Sequence, residues 1–296
     1  MKLSVSSYSF QQYIRSGRMT QLDTVKKAAE LGFEGIEFTD LKPFEGATLN
    51  DQLSYAAEIR REAEAYGIEV VAYAIAANLY QEDATANEIT MTRLRGQVDV
   101  AAALGAKMLR HDVCYSERYD DRVVSFVKML PTIAANARAL TSYAESKGIR
   151  TMTENHGLIV QDSDRVEALY NAVGHPNYGL LIDVGNFACA DEDSVKAVSR
   201  LAPYAIHAHV KDFHVYPFGY IAEEGKKVFQ TRACRVLEGC SVGAGDIPVA
   251  QCLAILKRAG YDGWVSMEYE GNEDCVEGIT KGLRYLTETR NRYRKS

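Results

Sequence analysis

The sequence predicts an α/β protein built as a single (β/α)8 TIM barrel, on three observations. Short apolar runs of β type alternate with longer stretches of helical period, eight of each. A Gly stands just past several of the helical stretches, and no Gly-rich phosphate turn follows the first strand-like run. Strict alternation of this kind closes a parallel sheet on itself. A doubly wound open sheet is the competing arrangement. It would be expected to carry G-x-G-x-x-G after its first strand, where this chain has Tyr8-Ser9-Phe10-Gln11.

The strand-like runs are 3–8, 35–38, 69–74, 107–110, 150–154, 179–183, 206–210 and 265–269. Between and after them, 20–31, 49–66, 87–104, 130–146, 164–173, 192–202, 247–259 and 273–289 carry apolar residues three and four apart, as helices covering a sheet must. Gly32, Gly67, Gly105, Gly148 and Gly260 follow helical stretches, where a left-handed residue ends a helix at no steric cost. No low-complexity linker or shift in composition divides the chain, so residues 1–296 are expected to form one domain. The long stretch 213–246 after strand seven is expected to be an irregular loop serving as a lid or an oligomer contact.

Composition narrows the class. Hydrophobic residues are 47 % and charged residues 25 % of the chain, an ordinary globular balance. The net charge is −6, with no basic stripe, which argues against nucleic acid as the partner. No run approaches the roughly 18 apolar residues of a spanning helix, and the start Met-Lys-Leu-Ser-Val-Ser-Ser-Tyr does not have the form of a signal peptide. A cytoplasmic protein without membrane contact is expected. The six Cys are scattered without a Cys-x-x-Cys pair and are expected to be reduced thiols.

In such a barrel the chemistry stands at the C-terminal ends of the strands. Strand five ends Thr153-Glu154-Asn155-His156, strand six Ile182-Asp183-Val184-Gly185-Asn186, strand seven His207-Ala208-His209-Val210-Lys211-Asp212 and strand eight Met267-Glu268-Tyr269-Glu270. Residues two apart share a face of a strand. Four neighbouring strands therefore bring Glu154, Asp183, His209 and Glu268 to one rim. Three crowded carboxylates repel one another, and a divalent cation resolves the conflict. Three oxygen ligands and one imidazole suit manganese best, with magnesium, cobalt or zinc as alternatives.

These residues, with Asp183-x-Gly185, His209-Val210-Lys211-Asp212, Gly243-x-Gly245-Asp246 and Gly260-Tyr261-Asp262-Gly263 before Glu268, make the chain resemble the xylose isomerase-like barrel superfamily. That group includes sugar phosphate isomerases and epimerases, ketose 3-epimerases, inosose dehydratases and isomerases, C-glycoside deglycosidase catalytic subunits and endonuclease IV. The resemblance implies one metal ion held by Glu154, Asp183, His209 and Glu268. It implies further that Glu154 and Glu268 are the proton-transfer pair of an isomerase or epimerase, working through a metal-stabilised enediolate. Bottom-up chemistry agrees, because a proton next to a carbonyl leaves readily only where an aligned base and a fixed positive charge meet.

One departure stands at Asn186, where many epimerases of the group have His, so the hydrogen bond made there must differ. His156 shares a face with Glu154 and is a candidate base or substrate partner. It draws the reading toward lyases of the fold, since β-elimination also begins with proton loss beside a carbonyl. Asn186, Lys211, Arg232, Glu37 and His111 are further candidates for substrate contact. Each has an alternative: a rim ion pair for Lys211, a contact behind the ligands for Glu37, a helix cap for His111. Tyr8 and Phe10 are expected to stack on a sugar face or fill the barrel mouth, and Trp264 to lie at the opposite end. No phosphate loop follows strands seven and eight, which favours a free sugar, cyclitol or glycoside as substrate. A repair nuclease on this scaffold would need more His and carboxylate ligands, and a non-catalytic barrel subunit would have lost some of the four. A homo-oligomer is expected, with a partner subunit of another kind left open.

Overall fold

The structure is a computed structural model that describes residues 1–119 and 122–294. Eight parallel strands close into a barrel: β1 (Lys2–Ser6), β2 (Gly35–Thr39), β3 (Glu69–Ile75), β4 (Met108–His111), β5 (Arg150–Glu154), β6 (Tyr178–Asp183), β7 (Ala205–Val210) and β8 (Trp264–Met267). They are hydrogen-bonded in chain order, and β8 returns to β1 with Leu3 beside Val265 and Val5 beside Met267. The covering helices are α1 (Asp23–Leu31), α2 (Leu49–Tyr66), α3 (Ala84–Leu104), α4 (Phe126–Glu145), α5 (Ser163–Val173), α6 (Ser194–Leu201), α7 (Val249–Arg258) and α8 (Cys275–Arg294). None of them is long and apolar enough to cross a membrane.

Local chemistry sets the boundaries. Thr48 caps α2 through a reciprocal capping box with Asp51, and Asp83 and Asp193 cap α3 and α6 by accepting from Ala86 N and Lys196 N. Gly32, Gly67 and Gly105 end their helices with φ of 95°, 65° and 82°. The first strand is shorter than expected because the Ser6 side chain accepts from Tyr8 N and bends 7–10 into a 3₁₀ turn. That turn runs into a short helix, Gln11–Arg15, absent from the sequence reading.

The stretch 213–246 is irregular over most of its length, as expected, but also contributes to a three-stranded antiparallel sheet of Asp212–Tyr216, Val236–Cys240 and Phe229–Gln230. Phe213 and Leu237 of this sheet are fully buried, but the Gly and charged residues of the segment obscure the strands in sequence. Its root is fixed by Asp212, whose carboxylate accepts from the backbone N–H groups of Phe213, Gly243, Gly245 and Ile247 at 2.8–3.1 Å. The spacing Gly243-x-Gly245 follows from this: a Cβ at Gly245 would stand 2.3 Å from Asp212 Oδ1.

The main core lies between sheet and helices. A smaller cluster, Val71, Ala72, Met152 and Leu181 with Trp264 and Ile206, plugs the barrel one pleat below the mouth. Trp264 is thus at the floor, as expected. Room for its ring comes from Gly35, where a Cβ would lie 2.5 Å from Val71 Cγ2 and 2.7–2.9 Å from Trp264. Gly35→Val is therefore expected to destabilise the fold by about 2–3 kcal/mol through overpacking, read as a lowered midpoint in urea unfolding; an unchanged midpoint would contradict this packing.

Candidate metal centre

At the C-terminal mouth, β5, β6 and β7 and the residue after β8 deliver Glu154, Asp183, His209 and Glu268, whose donor atoms all lie within 4.8 Å of one another. His209 Nδ1 stands 3.5 Å from Glu268 Oε1, 3.7 Å from Glu154 Oε1 and 4.0 Å from Asp183 Oδ2. In this buried setting His209 Nδ1 makes no hydrogen bond, and Asp183 Oδ2, faced by Lys211 Nζ at 3.2 Å, makes none either. Polar atoms left without partners in a dry interior are costly unless something else satisfies them. Three carboxylates and an imidazole converging with orphaned donors fit a divalent cation such as manganese, zinc, cobalt or magnesium.

The residues behind the four fix their directions. Glu37 on β2 reaches across the barrel, with Oε2 2.8 Å from His207 Nε2 and Oε1 2.7 Å from His209 Nε2. It sits behind His209, outside the cleft lining, as a carboxylate that orients an imidazole. The trio Glu37, His207 and His209 is also close enough to hold an ion, but its spacing is that of these ion-pair and hydrogen-bond contacts. Asn186 donates from its amide to Glu154 Oε1 at 2.9 Å. It does not line the cleft, so the expected substrate contact is replaced by a brace on Glu154. Asn155 pins β5 to β6 by accepting from Asp183 N and donating to Asp183 O, both at 2.9 Å. Gly185 leaves space for Lys211, whose Cγ would stand 2.5 Å from a Cβ there.

Two cations face the carboxylates. Lys211 Nζ lies 2.7 Å from Glu268 Oε2, 3.2 Å from Asp183 Oδ2 and 3.6 Å from Glu270 Oε2. Arg110, at the end of β4, is 2.6 Å from Glu154 Oε2 and 2.8 Å from Asp112 Oδ1. Arg110 and Asp112 were not among the expected site residues. The alternation that puts Arg110 inside puts His111 outside, where it is buried against Tyr178 and its ring is held low, at about 4, by burial. His111 is thus removed from substrate contact. Asp112 in turn lies 2.8 Å from His156 Nδ1. His156 is half-exposed in the cleft, with its ring oriented by that carboxylate. Arg232 is not part of the cleft either, because its guanidinium is engaged by Asp162 and by the carbonyl of Leu158. Tyr8 lines the cleft and donates to Glu270 Oε1 at 2.8 Å, while Phe10 is fully buried.

A model of the xylose isomerase-like TIM barrel family matches residues 25–289. The chain belongs to this family. Among curated relatives it is 23 % identical over 183 residues to an inosose dehydratase of Clostridium perfringens, covering 58 % of this chain and 59 % of that protein. The chain thus aligns with little more than half the length of that relative. It is 26 % identical over 239 residues to the rhizopine catabolism protein MocC of Rhizobium meliloti, covering 76 % of this chain and 70 % of that protein. Among solved structures, the IolI protein with a bound zinc atom superposes with a TM-score of 0.73 at 18 % identity, over 99 % of each chain. D-psicose 3-epimerase solved in the presence of D-fructose gives 0.71 at 17 % identity, over 98 % of this chain and 99 % of that one. At these identities the structural matches speak for the fold.

The crowded charges of the centre shift one another's titration. Burial raises Asp183 to about 6, with Lys211 opposing the shift and Glu154 and Glu268 adding to it. Burial works against a charged His209, but Glu37 and Glu268 outweigh it and hold the ring well above its ordinary value. For Glu154 burial is outweighed by Arg110, which keeps that carboxyl well below its usual range. The raised Asp183 favours its protonated form, so the stability it contributes is full below its ordinary value of 3.8 and is lost as pH rises through about 6. A cation held by these residues would have to displace these protons. Its affinity therefore rises with pH: calorimetric titration with Mn²⁺ is expected to give binding at least about tenfold weaker at pH 5.5 than at pH 7.5, with proton release, and equal affinity at both would contradict this electrostatic picture.

Proposed function

We propose that this chain is a divalent-cation-dependent enzyme that moves a proton next to the carbonyl of a keto-sugar, cyclitol or glycoside, as an isomerase or epimerase. The observation that carries this is the convergence of Glu154, Asp183, His209 and Glu268, with orphaned donor atoms, on a cleft of about 820 Å³. The named relatives, an inosose dehydratase and a sugar epimerase fold, support a carbohydrate or cyclitol as substrate. The four residues would hold the ion, manganese by preference, and the ion would supply positive charge beside the carbonyl oxygen, making the adjacent proton more acidic.

The chain's own groups do the rest. Glu154 is clamped through Oε2 by Arg110, and Glu268 through Oε2 by Lys211. Two carboxylates delivered by β5 and by the residue after β8, strands that flank β6 and β7, could take a proton from one face of a substrate carbon and return one to the other face or to its neighbour. Lys211 and Arg110 line the same cleft and meet negative charge as it develops on substrate oxygen, without reorganising.

A second reading, β-elimination, is favoured by His156. Its Nδ1 is fixed by Asp112, which leaves the other ring nitrogen to carry a proton to or from a substrate oxygen. Such a group suits a reaction that must protonate a leaving group.

Two measurements test these roles. Incubation with keto-sugars and inososes in D₂O is expected to place deuterium next to the carbonyl, and Glu268→Gln to slow that exchange by roughly 100-fold or more; exchange at the wild-type rate in the variant would overturn the role of Glu268. His156→Gln is expected to slow elimination by about tenfold or more while leaving the deuterium exchange within about twofold. Equal loss of both would make His156 a structural residue.

A further inference from the structure

We propose that Lys211 guards the metal centre: its ammonium group stands on Asp183 Oδ2, yields that oxygen to an incoming divalent cation and turns onto Glu270, which makes Glu270 a positioning residue that sets metal affinity. The proposal rests on the reading of Glu154, Asp183, His209 and Glu268 as the metal ligands. One oxygen is contested. Asp183 Oδ1 is already engaged, because it accepts from Gly185 N at 2.8 Å and from Asn186 N at 3.1 Å. That leaves Oδ2 for an ion, and Lys211 Nζ stands 3.2 Å from it. An ammonium group and a dication side by side on one buried carboxylate oxygen repel strongly. One of the two has to move.

The surroundings dictate where Lys211 goes. Its backbone is anchored by the next residue, Asp212, whose carboxylate holds four backbone N–H groups, and its Cγ is packed over Gly185. The stem is thus fixed, and the end of the side chain is what turns. Nζ lies 2.7 Å from Glu268 Oε2 and 3.6 Å from Glu270 Oε2. Keeping Glu268 Oε2 takes nothing from the ion, since Glu268 Oε1 is the oxygen that faces His209 Nδ1. Glu270 stands ready as the second partner. Its side chain is nine-tenths buried, Tyr8 donates to its Oε1 at 2.8 Å, and its Oε2 is the oxygen on the side of Lys211. The backbone there is seated tightly against the antiparallel sheet, where a Cβ at Gly239 would lie 2.3 Å from Glu270 O. A movement of about 1 Å brings Nζ to the roughly 2.7–2.9 Å of a charge-assisted hydrogen bond with Glu270. A fourth buried carboxylate beside three others is otherwise a cost, and receiving Lys211 gives it a use.

The test is a double-mutant cycle on the full chain, read as Mn²⁺ affinity by calorimetric titration. Glu270→Gln is expected to weaken binding about tenfold and Lys211→Met to tighten it about tenfold, while Glu270→Gln made in the Lys211→Met background changes it by no more than about threefold. A Glu270 that acted only as a nearby negative charge would cost the same in both backgrounds. Equal losses would therefore overturn the proposal, as would an unchanged or weakened affinity in Lys211→Met. A crystal structure of the wild-type protein grown with Mn²⁺ decides even where a variant fails to fold. Lys211 Nζ is expected within hydrogen-bond distance of Glu270 Oε2 and out of reach of Asp183 Oδ2; an ammonium group still on Asp183 Oδ2 beside the bound ion would overturn the proposal. Failure of the handover and failure of the metal centre are distinguishable. Mn²⁺ bound by the wild type with additive changes in the cycle sinks the handover alone, whereas no Mn²⁺ bound by the wild type or by Lys211→Met sinks the metal centre and the handover with it.

Discussion

Three carboxylates in one dry place is the constraint around which the barrel mouth is arranged. Glu154, Asp183 and Glu268 are each nine-tenths or more buried, and three ionised groups so placed repel strongly. Each has an answering group. Arg110 takes one oxygen of Glu154, Lys211 lies against Glu268 and Asp183, and Asn186 and Asn155 hold the strand ends in place. His209 stands between all three, kept there by Glu37 from behind. The arrangement neutralises much of the charge but leaves His209 Nδ1, the atom that faces all three carboxylates, without a hydrogen bond, which is the arrangement expected of a site prepared for an ion.

The fold divides this work from stability. The floor is small and apolar, with Trp264 and Met152 filling the barrel below the mouth. Glu154 and Asp183 stand one pleat above Met152 and Leu181 on the same strands, so the register that buries the floor also sets the depth of the ligands. The 212–240 sheet is tied to the same point through Asp212, the residue after Lys211. Packing beneath, and a carboxylate holding four backbone N–H groups beside, keep the charged residues at fixed positions.

Much of this was legible in the chain. The eight-fold alternation marks the barrel, and the period of two along strands five to eight brings Glu154, Asp183, His209 and Glu268 to one rim. What sequence could not supply was partnership across the barrel. Glu37 meets His207 across 170 residues, and nothing local to either marks the pair. Arg110 was within reach of the same alternation argument, but the neighbouring His111 drew attention as the more familiar chemical residue and faces the wrong way. Asp112 and His156 are joined only because β4 pairs with β5. The antiparallel sheet after strand seven was hidden by Gly and charged residues that read as loop.

The central claim is that Glu154, Asp183, His209 and Glu268 hold one divalent ion, and elemental analysis of the purified protein after incubation with Mn²⁺ and desalting tests it most directly. The account predicts close to one equivalent of metal per chain, and essentially none in an Asp183→Asn, Glu268→Gln double variant, whose amides keep the size of the carboxylates while Glu270 stays beside Lys211. Absence of bound metal in the wild-type protein, after incubation with manganese, cobalt, zinc or magnesium in turn, would contradict it.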